Sequence, residues 1–300
     1  MSDPGGSHGR AVVVAGVALG LFALGQPAGA QSSGQTLYGL TTNDKIVTFS
    51  TDDPDDIQSS VRVTGIGSRE SLIGIDRRPL TGDLFAVARS RSGVNLYIVN
   101  PSSGRATLVA PLVSAPTATN PNRTPVMLNG TEFGFDFNPA ADELRIVGDN
   151  GQNLRVIPSP RVGPGGVMLQ TGDTFTDGMI NNVTGRVSGV TAVAYLNNDN
   201  DPATPTTLFD INSGVDTLSI QNPPNDGTLV AVGPLGRSTR PRAGFDIVTQ
   251  NGTNTAYAAL SQRGRRGGQV SRLVVVDTNT GFTWDLGVVG TNDSLRDIAA

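Results

Sequence analysis

The sequence contains no cysteine among its 300 residues, and its single histidine is His8. The absence of cysteine excludes disulfides, thiolate nucleophiles and sulfur-ligated metals. If His8 is removed with a leader segment, histidine general bases, Ser-His-Asp triads and ordinary zinc sites are excluded as well. Any metal would then rest on oxygen ligands, as calcium and magnesium do. No motif in the chain requires an organic cofactor.

Aromatic residues and net charge are also scarce. Only 5% of the residues are aromatic, with Trp284 as the one tryptophan, and the formal net charge is −4. A shortage of aromatic rings leaves few stacking platforms for a sugar. A mildly acidic chain lacks the positive charge that nucleic acid recognition requires, so we expect no nucleic-acid partner.

Long apolar runs are absent apart from one near the N-terminus. Residues 11–24 form an apolar stretch of fourteen residues, and Ala28-Gly29-Ala30 follows a Gly-Gln-Pro break. This pattern predicts a secretory signal peptide over residues 1–30 and an exported protein, periplasmic or extracellular. A retained anchor is the alternative, but the run is shorter than the roughly 20 residues that span a bilayer. We therefore expect no membrane span in the mature chain.

Turn residues are abundant instead, with 38 glycines and 19 prolines. Between them lie short apolar runs that often alternate with polar residues, which predicts many antiparallel strands. One run recurs around an acid, and a weaker copy has threonine in its place. The matching residues are Asp76, Asp136, Thr191, Asp246 and Asp297, which lie 51 to 60 residues apart. A period near fifty residues is typical of propeller blades, each a four-stranded sheet.

The two ends of the chain are predicted to share one blade. Residues 36–66 supply three strand candidates and residues 295–299 supply one, so the C-terminal strand would complete the N-terminal blade and close the ring. The sequence thus predicts an all-β, five-bladed β-propeller, a single domain over residues 31–300, and a monomer. A six-bladed ring is the alternative if residues 114–131, which we expect to form a loop, hide further strands. The outer strand of the third blade is expected at residues 166–169.

The repeated acids are the first candidate site. Innermost strands line the central channel of a propeller, so Asp76, Asp136, Asp246 and Asp297 could converge there. Converging carboxylates could bind a cation or act as acid and nucleophile in glycoside hydrolysis. The structural alternative is that each acid accepts main-chain N–H groups at the following turn, such as Asn138-Pro139.

The second candidate is an acidic loop, Asn197-Asn198-Asp199-Asn200-Asp201-Pro202. Its side-chain oxygens are of the type that calcium prefers, so Asn198, Asp199 and Asp201 are candidate Ca²⁺ ligands. The glycine and downstream glutamate of an EF-hand loop are missing. The alternative is an ordinary polar hairpin loop.

Three segments, residues 134–156, 195–212 and 216–229, resemble the bacterial secreted family known as domain of unknown function 4394. The resemblance implies export and a β-propeller-like repeat fold, and it supplies no catalytic residue. We interpret the protein as a non-catalytic scaffold for an unidentified extracellular ligand or protein, and not as an enzyme. The alternative is a carboxylate-dependent hydrolase of glycosides or of lactone- or ester-like substrates, with its site at the channel and possible assistance from calcium.

Overall fold

The computed structural model describes residue 1 and residues 34–199, 201, 203–264 and 267–300. The segment predicted to be a signal peptide lies outside these residues, apart from Met1. The described chain is almost entirely β-structure, and its only helical segments are the 3-10 turns Pro164–Gly166 and Pro224–Asp226. Within this part of the chain, no helix has the length and apolar character needed to cross a bilayer.

The strands group into five blades in chain order. The first blade begins with β1 (Thr36–Thr41), β2 (Lys45–Ser50) and β3 (Ile57–Arg62). The second contains β4 (Ser71–Arg77), β5 (Leu84–Arg89), β6 (Val94–Val99) and β7 (Ala106–Pro111). The third contains β8 (Val113–Ser114), β9 (Phe133–Asn138), β10 (Glu143–Gly148) and β11 (Asn153–Val156), then the short hairpin β12 (Arg161–Val162) and β13 (Met168–Leu169), and β14 (Asp173–Thr176).

The last two blades follow a second small hairpin. That hairpin consists of β15 (Asn181–Asn182) and β16 (Gly185–Arg186). The fourth blade contains β17 (Val190–Tyr195), β18 (Leu208–Asn212), β19 (Thr217–Gln221) and β20 (Leu229–Pro234). The fifth contains β21 (Ala243–Gln250), β22 (Thr253–Arg263), β23 (Gln269–Val276) and β24 (Thr283–Val288), and the chain ends in β25 (Leu295–Ala299).

The C-terminal strand closes the ring. β25 pairs antiparallel with β1, and the first sheet has the order β25-β1-β2-β3. The five innermost strands are therefore β25, β4, β9, β17 and β21, and each contacts its two neighbours around the ring. This confirms the predicted five-bladed propeller and the composite first blade, and no sixth blade is formed by the described residues.

The core lies between the blades, in five apolar clusters. Alternation along each strand sends successive side chains to opposite faces, so each sheet packs against both of its neighbours. Phe135 and Phe137 of β9, for example, pack against Phe85 of β5, while Val147 of β10 packs against Val193 of β17. Burial on both faces explains why the innermost strands are almost wholly apolar apart from their acids.

The outer strand of the third blade is not where the sequence predicted it. Residues 168–169 pair with Arg161–Val162 in the hairpin β12-β13, and β14 pairs with β11 in the blade. Gly165 and Gly166 adopt φ values of 70° and 77°, which make the tight turn of that hairpin. The sequence of β14, Asp-Thr-Phe-Thr, carries only one large apolar residue, so its periodicity is weak. Of the loop predicted at residues 114–131, residues 115–131 form no strand, but Ser114 belongs to β8, which adds a parallel strand beyond β14.

Candidate functional site

The four repeated acids lie at the inner edge of the ring. Asp76, Asp136, Asp246 and Asp297 are only 3%, 2%, 2% and 1% exposed. Asp76, Asp136 and Asp246 each place a carboxylate oxygen within 4.8 Å of the others. The innermost strands therefore bring three of the four repeated carboxyl groups together in a site that is closed to solvent, and Asp297 is not part of this cluster.

Every one of these carboxyl groups also joins two blades by accepting main-chain N–H groups. Asp76 accepts from Arg77, directly after it, and from Phe137 in the next blade, both at 2.7 Å. The other contacts across blade junctions run from Tyr195 to Asp136, from Ala300 to Asp246 at 2.7 Å, and from Ile75 to Asp297 at 3.1 Å. Each acid thus forms a clip between neighbouring innermost strands.

Two details of the sequence interpretation are corrected. The fourth blade presents Ala194 at the acid position, and not Thr191, because Tyr195 donates to Asp136 as Phe137 donates to Asp76. The turn after β9 is capped by Asn138, whose side chain accepts the N–H groups of residues 140 and 141, and not by Asp136. The junction between the fourth and fifth blades therefore has no carboxyl clip at this position.

A glycine two residues before the acid allows the blades to approach. A Cβ built on Gly134 would lie 2.6 Å from the main-chain nitrogen of Val193, and one on Gly244 would lie 2.5 Å from that of Ile298. Such distances are below van der Waals contact, so only glycine lets the strands come close enough for the acid to reach the neighbouring N–H. The repeated Gly-x-Asp motif is thus a packing device.

We expect Gly134→Ala to lower the free energy of unfolding by about 2–3 kcal/mol, because the added methyl group forces the third and fourth blades apart. Urea unfolding of the full chain measures this loss. Gly268→Ala is the matched control, since its Cβ would meet nothing within 4 Å, and it should change stability by less than about 0.5 kcal/mol. Equal effects of the two substitutions would contradict the proposed role of Gly134.

Burial makes the four carboxyl groups weak acids. It raises the pKa of Asp76 to about 8, with a further increase from the negative charge of Asp246. It raises the pKa of Asp246 to about 6, against the lowering effect of the N–H groups of Ala300 and Ile247. The pKa values of Asp136 and Asp297 are also raised well above the usual range by burial, and at Asp136 the charge of Asp76 adds to the increase. Asp76 therefore keeps its proton at neutral pH, whereas Asp246 is largely ionised there.

Burial limits the chemistry that these four aspartates, which we call the carboxyl ring, can perform. The three converging carboxylates could offer one oxygen each to a cation, but calcium takes six to eight oxygen ligands. Hydrolysis would need a substrate to reach two of the acids, and the crevice beside Asp76 has no room even for a water molecule. Buried carboxyl groups that accept main-chain N–H groups are suited to holding strands together.

The second candidate site, the loop at residues 197–202, is described except for residues 200 and 202. Oδ1 of Asp199 accepts the N–H of Asp201 at 3.0 Å, and Oδ1 of Asp201 accepts that of Ala203 at 2.9 Å. Asn198 donates its main-chain N–H to Thr249 of the fifth blade at 2.7 Å. The loop therefore forms Asx turns and contacts the neighbouring blade, and its calcium ligation stays a prediction.

An open groove of about 700 Å³ lies between the first two blades. It is lined by Tyr38 of β1 and by the hairpins that follow β4 and β6, which contribute Arg77, Asp83, Asn100 and Arg105. Arg77 is fixed by bonds to the main-chain oxygens of Gly82, at 3.1 Å, and Ala300, at 3.3 Å. In the described chain, neither arginine of the groove forms a salt bridge, so this polar groove has unpaired positive charge.

The sequence interpretation missed a buried ionic cluster between the third and fourth blades. Arg145, only 2% exposed, donates to Asp177 at 2.6 Å and to Asn153 and Asn225 at 2.8 Å. Asp210 faces it from β18 with both carboxyl oxygens buried and without hydrogen-bond partners, and burial raises its pKa well above the usual range. A charged residue within the apolar pattern of β10, Leu-Arg-Ile, is the one sequence signal that indicates this cluster.

Comparison with solved structures shows distant similarity alone. An ancestral GH74 enzyme shares 13% identity with the chain at a TM-score of 0.43, over 85% of the chain and 35% of the enzyme. A chain of a nidogen/laminin complex shares 10% sequence identity at a TM-score of 0.44, and the match covers 89% of this chain and 98% of that one. The α-L-arabinanase of Cellvibrio cellulosa shares 11% sequence identity at a TM-score of 0.44, and the match covers 84% of this chain and 90% of the arabinanase. The chain thus spans about a third of the first protein's length. No curated protein matches the sequence significantly.

The sequence match to a protein family is extensive. The model of the family described as "Domain of unknown function (DUF4394)" matches residues 45–299, which include the second to fifth blades and the closing strand. This match covers most of the chain and agrees with the resemblance noted from three of its segments. The protein therefore belongs to the DUF4394 family.

Proposed function

We propose that the protein is a non-catalytic binding scaffold that takes up its ligand in the groove between the first and second blades. The observation that carries this proposal is the difference in exposure and in bonding between the carboxyl ring and the groove. The carboxyl ring is buried and committed to main-chain N–H groups, whereas the groove is open and its two arginines lack ionic partners among the described residues. Recognition, and not carboxylate catalysis, fits that arrangement.

The lining of the groove favours a ligand that carries a carboxylate. Arg77 and Arg105 offer guanidinium donors in a fork geometry that matches carboxylates. Tyr38 adds an aromatic ring, and Asn100 and Thr107 add polar groups. Asp83 is the only acid in the lining, so the groove is electropositive within an acidic protein.

The proposed setting is outside the cytoplasm, where a disulfide-free propeller would present the groove to an extracellular ligand or protein. The apolar run at residues 11–24 and the following Ala-x-Ala motif support export. Mass spectrometry of the N-terminus of the secreted protein would test this; a mature chain that still begins at Met1 would contradict it.

A binding screen tests the proposed groove. We expect uronic-acid oligosaccharides or short acidic peptides to bind the full chain, as measured by calorimetry. Arg105→Gln should weaken that binding at least tenfold, because it removes an exposed guanidinium without touching the core. Arg186→Gln, an exposed arginine on β16, is the matched control and should leave binding unchanged.

The hydrolase alternative predicts a different outcome. A screen of nitrophenyl glycosides, lactones and esters should give no turnover, since the acids are closed to substrate. Robust turnover that Asp136→Asn abolishes, in a variant that still folds, would replace the scaffold with an enzyme. If Arg105→Gln and Arg186→Gln affect binding equally, the groove is not the binding site.

A further inference from the structure

The end of the ring at which the innermost strands begin carries an ion pair between non-adjacent blades. Glu132, directly before β9, accepts from Arg242, directly before β21, with 2.9 Å between Nη2 and Oε1. This pair joins the third and fifth blades and skips the fourth. Arg242 also donates to Ser294, directly before β25, at 3.2 Å. We call Arg89, Glu132, Arg242 and Arg296 the channel mouth.

Arg296 breaks the repeat. Because Ala300 donates to Asp246 as Phe137 donates to Asp76, the acid position of β25 is Ala299, and Arg296 lies three residues before it. The residues at this position in the other four blades are uncharged and buried: Ile73, Phe133, Thr191 and Ala243. In the pairing of β25 with β1, Asp297 is opposite Leu40 and Leu295 is opposite Thr41, so Arg296 is the extra residue of a β-bulge. The same bulge occurs in β4, where it carries Ile73, and in β17, where it carries Thr191, so the charged side chain, and not the bulge, is particular to β25.

The guanidinium of Arg296 is poorly satisfied by the protein. Its Nε is buried without a hydrogen-bond partner, and its one hydrogen bond in the described chain is from Nη2 to the main-chain oxygen of Thr42, at 3.3 Å. Burial lowers the pKa of Arg296, and the positive charges of Arg242 and Arg89 lower it further. A buried donor without a partner destabilises the protein unless a ligand or water supplies the acceptor.

Positive charge exceeds negative charge around Arg296. Arg242 and Arg89 repel it, while Glu132 and Asp44 are the acids that attract it. Glu132 is already engaged by Arg242, and Asp44 already accepts the main-chain N–H of Leu72 at 3.1 Å. Arg89 donates Nη1 to the main-chain oxygen of Gly130 at 2.6 Å and has no salt bridge within the described residues.

We propose that the channel mouth binds a small oxyanion, of the carboxylate, sulfate or phosphate type, through Arg296 with support from Arg89 and Arg242. The anion would accept from the unpartnered guanidinium donors and offset the repulsion among the three arginines. This site is separate from the groove: its residues come from the starts of β9, β21 and β25 and the end of β5, and none of them lines the groove.

The test measures thermal unfolding of the full chain in increasing sodium sulfate, with sodium chloride keeping the ionic strength constant. Sulfate stabilises most proteins weakly, so the variant comparison, and not the wild-type shift alone, decides. We expect a saturable rise in Tm for the wild type. Arg296→Leu, which introduces an apolar side chain like that of Ile73 at the equivalent bulge of β4, should abolish saturation or weaken the apparent Kd at least tenfold while leaving Tm in chloride unchanged or higher.

Two further variants make the test decisive. Arg186→Gln on β16 and Arg91→Gln on the hairpin after β5, both exposed arginines outside the channel mouth and the groove, should retain the wild-type response. Loss of the response in either of them, or an equal response in the wild type and Arg296→Leu, would overturn the proposal. If Arg296→Leu does not fold, Arg89→Gln replaces it, and an unchanged apparent Kd in that variant would overturn the proposal in the same way.

Discussion

Asp136→Ala is expected to lower the free energy of unfolding by about 2–4 kcal/mol, because the N–H of Tyr195 would then be buried without an acceptor and a small cavity would remain. Asp136→Asn keeps an acceptor for that N–H and lacks the negative charge that burial and the neighbouring Asp76 disfavour, the two effects that raise the pKa of Asp136. We expect this variant to lose less than about 1 kcal/mol at pH 5. Urea unfolding followed by the fluorescence of Trp284 measures both values.

The same carboxyl ring sets the direction of the pH dependence. In the unfolded chain these groups titrate near 3.8, whereas in the folded chain the pKa is about 8 for Asp76 and about 6 for Asp246. Between these pH values the folded state holds protons that the unfolded state releases. The contribution of these groups to the free energy of unfolding is therefore fully present below about pH 4 and is lost as pH rises toward 8. Each retained proton contributes a slope of about 1.4 kcal/mol per pH unit.

The window from pH 5 to pH 8 isolates this effect. The pKa values of Glu70 and Asp277 are lowered, so the stabilisation that they contribute is complete above about pH 5. We expect the wild type to lose stability across the window, and Asp136→Asn to lose less, so that the variant equals or exceeds the wild type at pH 8.

A cation in the ring would reverse these results. Bound metal would keep Asp76, Asp136 and Asp246 ionised, so stability would increase with pH and a chelator would reduce it. Asp136→Asn would then be strongly destabilising at pH 8. An increase in stability between pH 5 and pH 8, together with a loss of stability on adding a chelator, would therefore show that the carboxyl groups bind a metal ion rather than protons.

The sequence predicted the ring because its signals are local and repeated. Gly-x-Asp recurs in three blades, at Gly74-Ile75-Asp76, Gly134-Phe135-Asp136 and Gly244-Phe245-Asp246, since each blade meets the same steric problem at the axis. The composite first blade was predictable because the strand at 295–299 had no partners of its own. The sequence alignment placed the acid position of the fourth blade at Thr191 because alanine, found at the true position 194, has no polar group to mark it. Gly189, two residues before Thr191, also matches the glycine of the Gly-x-Asp motif.

The functional sites depend on contacts that no repeat encodes. Arg296 interacts with Arg242 and Glu132 of other blades, and the groove combines Tyr38 with hairpins of the second blade. Such sites arise from single substitutions within a regular framework, so periodicity conceals them. A charged residue at a position that is uncharged in the other blades is the useful indication, and both Arg145 and Arg296 fit this description.

Arg145→Met should be among the most destabilising single substitutions, with a loss of about 3–5 kcal/mol in the free energy of unfolding. Arg145 joins β10 to Asn225 of the fourth blade and to the hydroxyl of Tyr195, so its removal leaves several buried polar groups without a partner. Asp177 would keep Arg155, at 2.7 Å, and Asp210 would lose the one positive charge that lowers its pKa.

A double-mutant cycle with Asp210 separates the ionic effect from lost packing. Because Asp210 is buried without a hydrogen-bond partner, Asp210→Asn alone should cost less than about 1 kcal/mol, and in the Arg145→Met background it should recover about 1–2 kcal/mol. Arg272→Met is the matched control, since its salt bridge to Asp285 is exposed and contributes less than about 1 kcal/mol. Equal losses for Arg145→Met and Arg272→Met, or no recovery in the double variant, would show that the third and fourth blades are held by their apolar contacts and the Asp136 clip rather than by Arg145.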